Sequence, residues 1–127
     1  MAQGKKIAEY SLKSTPPTFT PGPGNTIAVQ VNFEGPVTGE IAGLHRGTMS
    51  VVIVPGAKSR TYSYCGMTWP TTGDPVALSS QGTTENIDNH KRRLRGVNHF
   101  SDGSIAAVEA ELDITAGTLI GALYEWA

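Results

Sequence analysis

The chain has 127 residues, 39% of them hydrophobic, and its ten Lys and Arg against eleven Asp and Glu give a net charge of −1. Length and composition fit a single domain over residues 1–127 with a real core. They exclude a disordered chain and, since apolar runs such as 51–54 fall far short of the roughly 20 residues needed, a membrane-spanning helix. The balanced charge leaves no footprint for nucleic acid or an anionic lipid surface, and the single cysteine, Cys65, excludes an internal disulfide and a Cys-rich zinc site.

Residues 1–6 carry positive charge with no apolar segment after them, so no secretory signal is read and a cytoplasmic location is the default expectation. Residues 5–13 form the first predicted strand, with Ala8, Tyr10 and Leu12 on one face. Residues 14–25 hold Pro16, Pro17, Pro21 and Pro23. Proline lacks the N–H a ladder needs, so this Pro/Gly-rich arm is expected to cross the mouth or edge of a barrel without regular pairing.

Over 26–33, Ile27, Val29, Val31 and Phe33 alternate with Thr26, Ala28, Gln30 and Asn32. Gly35-Pro36 turns or bends the chain, and 37–42 continue the strand, with Gly39 and Gly43 as bulge or corner positions. Residues 48–54 read as a β-branched strand. Residues 60–69 put Tyr62 and Tyr64 on one face and Cys65, Met67 and Trp69 on the other. After a loop at 70–75 comes a Ser/Thr-rich strand at 76–85, and 86–89 is a turn.

Residues 91–100 and 105–114 read as the arms of a hairpin around Asp102-Gly103, the dipeptide a type I′ turn favours. Ala106, Val108, Ala110, Leu112 and Ile114 face away from Ala107, Glu109, Glu111 and Asp113. The stretch 104–112 also suits a helix, since Ala, Glu and Leu favour one, but its alternation is cleaner than its helical stripe and turns flank it. Residues 118–126 complete the set. The fold class expected is all-β, a single antiparallel up-and-down barrel of about eight strands.

Three constellations bear on chemistry. The basic run from His90 to Arg95 either ion-pairs across the hairpin or holds an anion. With a two-residue turn, Arg92 lies opposite Asp113, and Arg93 and Arg95 share a face with Ala110 and Leu112, where bare charge is costly. A bulge at Gly96 would flip them outward. The solvated, ion-paired state is the favoured reading, with Arg95 as the candidate anion contact. Tyr62, Cys65 and Trp69 form an aromatic and thiol cluster of the kind a small-molecule site uses, and equally a core. Among the ionisable residues, Tyr64, His99 and Glu109 are the candidates for acid/base catalysis, although His99 and Glu109 fall on opposite faces in the simple register. The three histidines lack metal-ligand spacing, so no metal is expected. Gly22-Pro23-Gly24 precedes a strand and not a helix, so no phosphate cradle and no cofactor are expected.

The string Phe33-Glu34-Gly35-Pro36-Val37-Thr38-Gly39, with the strand after Gly47 and the segment from Gly96 to Gly103, resembles small bacterial barrels akin to allene oxide cyclase. That resemblance rests on architecture and glycine placement across about 25–126. It implies a barrel enclosing a hydrophobic ligand and steering cyclisation or isomerisation through cavity shape, and it transfers no catalytic residue. Gly82-Thr83-Thr84-Glu85, followed by Lys91, Leu94, Gly96 and Phe100, is similar to the penultimate avidin hairpin, but only Trp69 and Trp126 stand where avidins supply several tryptophans.

The expected function is a barrel that binds a small, largely apolar organic molecule, acting as a cofactor-independent isomerase or cyclase if it is an enzyme. The alternative is a non-catalytic structural or assembly protein with a filled core. Residues Ile120, Ala122, Tyr124 and Trp126 make the last strand apolar on its outer face as well, which predicts a homo-oligomer.

Overall fold

The computed structural model describes residues 4–126. Nine strands follow in chain order: β1 (Lys6–Ser14), β2 (Thr18–Pro21), β3 (Ile27–Gly39), β4 (Gly43–Ile53), β5 (Ser59–Pro70), β6 (Val76–Asn86), β7 (Lys91–Phe100), β8 (Ile105–Asp113) and β9 (Thr118–Glu125). Each of β3 to β8 pairs antiparallel with the next, and β1 pairs with both β9 and β3. Eight strands therefore close into an antiparallel barrel with one extra strand, β2, beside it. Closure removes the open edges that invite strand addition. The described residues include no helix long and apolar enough to cross a membrane.

Period-two alternation decides which side chains enter the barrel. Ala8 and Leu12 of β1, Phe33 and Val37 of β3, Met49 of β4, Leu94 and Phe100 of β7, Ala106, Val108 and Ala110 of β8, and Leu119 and Leu123 of β9 are buried. They form two clusters, one around Phe33, Met49 and Leu94 and one around Val37, Phe100 and Leu123. The segment from Ile105 to Asp113 is a strand, as its alternation indicates, and not a helix.

Three local expectations are corrected. The Pro-rich arm does pair: Thr18–Pro21 lies against the first residues of β3, with Thr18 opposite Gln30 and Pro21 opposite Ile27. β3 is 13 residues long, and β1 covers only its second half. β2 continues β1's line past the Pro16-Pro17 step, bridged by the Thr15 N–H donating to the Asn32 carbonyl. Next, β4 begins at Gly43 and not near residue 48, so Leu44, His45 and Arg46 belong to the sheet.

Third, the β7–β8 hairpin does not use a two-residue type I′ turn. Gly103 alone takes positive φ (89°), its N–H donates to the Phe100 carbonyl, and the Phe100 N–H donates to the Ser104 carbonyl. Asp102 accepts from the backbone and hydroxyl of Ser104. Three residues form the loop, which moves every pair by one: Arg93 faces Glu111, Leu94 faces Ala110 and Arg95 faces Glu109. No bulge at Gly96 is needed, because Gly96 sits in register between Gly82 and Val108.

Candidate functional site

The inward face is not wholly apolar. Extending the β4 alternation back from Met49 through Gly47 brings His45 inside, where it is 5% exposed. On β5 the inward residues are Tyr62, Tyr64 and Thr68; on β6, Ser80 and Thr84; on β7, Arg92 and Asn98; all are buried. Most of these polar side chains converge between the two apolar clusters. There they line a cavity of about 60 Å³ whose walls include Val37, Leu78, Phe100, Val108 and Leu123.

His45 organises this chamber. Its Nε2 lies 2.5 Å from Tyr64 Oη and its Nδ1 lies 3.0 Å from Thr68 Oγ1. The two rings stack with centroids 5.7 Å apart. In either neutral tautomer one ring nitrogen donates and the other accepts, and both hydroxyls can answer. Tyr62 Oη lies 3.0 Å from Ser80 Oγ. The carboxamide oxygen of Asn98 is buried with no partner among the described residues. A buried acceptor without a donor is uncommon in folded proteins.

Glycines create room for these aromatic tips. A Cβ on Gly47 would overlap the ring end of Tyr64, and one on Gly96 would overlap the Tyr62 hydroxyl. The tyrosines can lie across the barrel only because those inward positions, on the adjacent β4 and on β7 beyond β6, carry no side chain.

Burial sets the electrostatics. It lowers the His45 pKa to about 4, so the ring is neutral at neutral pH. It pushes the phenols of Tyr64, Tyr62 and Tyr10 above their ordinary value, although the Ser80 hydrogen bond opposes part of the rise at Tyr62. A general acid or base works best with a pKa near the working pH. The His45–Tyr64 pair is displaced from that range on both sides. It suits a neutral hydrogen-bonding role better than proton transfer.

The seven residues singled out from the sequence are not brought together. Tyr62 and Tyr64 enter the chamber wall. Cys65 and Trp69 are exposed and face an outer groove over β4 and β5, where the Arg46 guanidinium lies 6.0 Å from the Trp69 ring centroid. Arg95 points outward and pairs with Glu109 at 3.3 Å, while Lys91 reaches Glu111 at 3.7 Å. His99 is on the outer face as well, opposite Ile105. The sequence reading missed His45, Thr68, Ser80 and Asn98. Phase held the signal: Asn98 shares the inward phase of Leu94 and Phe100, and His45 that of Met49. Among the described residues no group of three or more His, Cys, Asp or Glu side chains converges to hold a metal ion. No protein family, no curated protein and no solved structure matches this chain.

Proposed function

We propose that this barrel binds a small, neutral, largely apolar organic molecule in the chamber between its two core clusters. The observation that carries the reading is the unpartnered Asn98 carboxamide oxygen on the wall of an apolar cavity that also presents His45, Tyr64 and Tyr62. An apolar pocket with a few convergent polar groups is the usual form of a ligand site. Neutral groups on that wall favour a neutral guest, one that offers a hydroxyl or N–H to Asn98. A cavity of about 60 Å³ holds a handful of heavy atoms, given that one water needs about 10–15 Å³. Any chemistry in such a chamber is isomerisation or cyclisation guided by confinement and hydrogen bonding, in keeping with the resemblance to cyclase-like barrels.

The second reading is a filled barrel that serves as an assembly unit. It is favoured by the cavity lying well under the roughly 300 Å³ at the lower end of ligand sites, and by Ile120 and Trp126 standing 55% and 48% exposed on and just past β9. One experiment separates the two. The protein is titrated with small cyclic alcohols and followed by the amide side-chain NMR signals, in parallel with native mass spectrometry. Saturable shifts at Asn98 in the wild type, together with shifts of the Tyr64 ring signals that are lost in Asn98→Leu, support binding. Unperturbed spectra together with a defined empty oligomer support assembly.

A further inference from the structure

Two arginines face into the barrel at the end opposite Val37 and Phe100. Arg60 of β5 is in phase with Tyr62 and Tyr64, and Arg92 of β7 is in phase with Leu94 and Asn98. The ladder sets Arg60 beside Thr84, and Asn86 beside Arg92, so both belong to one corner. Arg92 is 5% exposed. Its Nε donates to Thr84 Oγ1 at 3.0 Å, Nη1 to Asn86 Oδ1 at 2.6 Å and Nη2 to the Thr84 carbonyl at 3.1 Å. All three acceptors are neutral. The Nε of Arg60 is buried and has no partner among the described residues.

Among the described residues no carboxylate lies within 4.0 Å of either guanidinium, and the five ion pairs involve other side chains. Glu85, the nearest acid in the ladder, is on the outer face between Ser59 and Arg93. Burial, and then the charge of Arg60, lower the pKa of Arg92. Guanidinium nonetheless stays protonated in proteins, so this corner carries two crowded positive charges with open donors. Buried charge is tolerated when it is paired or used to hold a counter-charge.

We propose that the Arg60–Arg92 corner binds a phosphate group as its dianion. Two guanidiniums match two negative charges, whereas a carboxylate would leave one positive charge unbalanced. The guanidinium fork also matches phosphate oxygens in pairs. The corner is separate from the chamber, whose lining includes neither arginine, so the proposal does not depend on the chamber binding anything.

The test is calorimetric titration with inorganic phosphate and with phenyl phosphate at constant ionic strength, with acetate as the monoanion control. Saturable one-to-one binding of phosphate, weaker with acetate, is expected, with affinity falling roughly ten- to a hundredfold in Arg60→Gln, the worth of one charge-assisted contact. Tighter binding of phenyl phosphate identifies a phosphomonoester ligand, and binding equal to or weaker than that of inorganic phosphate identifies the free ion. Should Arg60→Gln fail to fold, the wild-type Arg60 and Arg92 Nε NMR signals give the answer, since both must shift together on adding phosphate. No saturable binding at millimolar phosphate, affinity unchanged by Arg60→Gln, or unmoved Nε signals would overturn the proposal.

Discussion

Acidification should unlock the chamber through His45, and the size of the effect follows from its burial. The ring titrates near 6.5 when exposed and near 4 in the folded barrel. Between those values the unfolded chain binds a proton that the folded one refuses. Stability therefore rises with pH across this window: the contribution is fully present above about 6.5, is lost progressively as pH falls, and is gone below about 4. At about 1.4 kcal/mol per pH unit, moving from pH 7 to pH 4.5 removes roughly 2.5 kcal/mol, a large fraction of the stability of an ordinary domain. His45 is 5% exposed, so water scarcely reaches the ring to relieve the cost of charging it.

The assay is urea unfolding of the wild type and of His45→Gln at pH 7 and pH 4.5. Gln keeps neutral polar atoms near Tyr64 and Thr68 and removes the titration. Exposed carboxylates such as Asp102 and Asp113, whose pKa values are lowered mainly by hydrogen bonds from the Ser104 side chain and the Ala116 backbone respectively, lose stability in acid in both proteins and cancel in the difference. The wild-type advantage at pH 7 should shrink by about 2.5 kcal/mol at pH 4.5. Parallel pH profiles for the two proteins, or a His45 ring titrating near 6.5 in the folded state, would refute the burial argument.

Gly47→Ala should destabilise by about 1–3 kcal/mol, the usual cost of overpacking, because its Cβ overlaps the Tyr64 ring; adding Tyr64→Leu should recover part of that loss in the same unfolding assay. Phe33→Ala should cost about 3–5 kcal/mol and Arg95→Ala under about 1 kcal/mol, since Phe33 is fully buried and the Arg95–Glu109 pair is exposed; equal costs in thermal unfolding would contradict the assigned faces. Gly103→Ala should cost about 1–2 kcal/mol, measurable by calorimetry, because Gly103 alone in its loop takes positive φ.

Much of the barrel was legible because alternation and turn chemistry are local. In β8, Ala106, Val108 and Ala110 against Glu109 and Glu111 need no neighbour to be read. The β7–β8 register was not legible in the same way. Asp102-Gly103 fits a two-residue turn as well as it fits the last two positions of a three-residue loop, and the choice rests on whether Ser101 leaves the strand. That single residue decides whether Arg93 and Arg95 meet apolar side chains or Glu111 and Glu109. The start of β4 was hidden by Gly43, which reads as a corner when its close approach to the neighbouring strand is unknown. The pairing of β2 was hidden by Pro21 within it and by Pro16, Pro17 and Pro23 on either side. Its register follows from the surplus length of β3, a property of the closed barrel and not of residues 14–25.

The interior contains two different chemistries, and the layer between them explains why they should be tested apart. The chamber is neutral: its histidine is deprotonated at neutral pH, its tyrosines keep their protons, and Asn98 offers an oxygen. The far end is cationic. Arg60 and Arg92 stand two residues before Tyr62 and Leu94 along their strands, about 7 Å at the strand rise. Leu12, Met49, Leu94 and Leu119, all buried, fill the barrel around that level. A neutral guest beside Asn98 therefore cannot balance the arginines, and a phosphate at the arginines cannot satisfy Asn98. If phosphate shifts the Arg60 and Arg92 signals while the Asn98 signal stays fixed, the leucine and methionine layer is a real partition and the barrel has two independent sites. If the two respond together, the layer is permeable to one elongated molecule, and the small chamber is the apolar end of a longer amphipathic site.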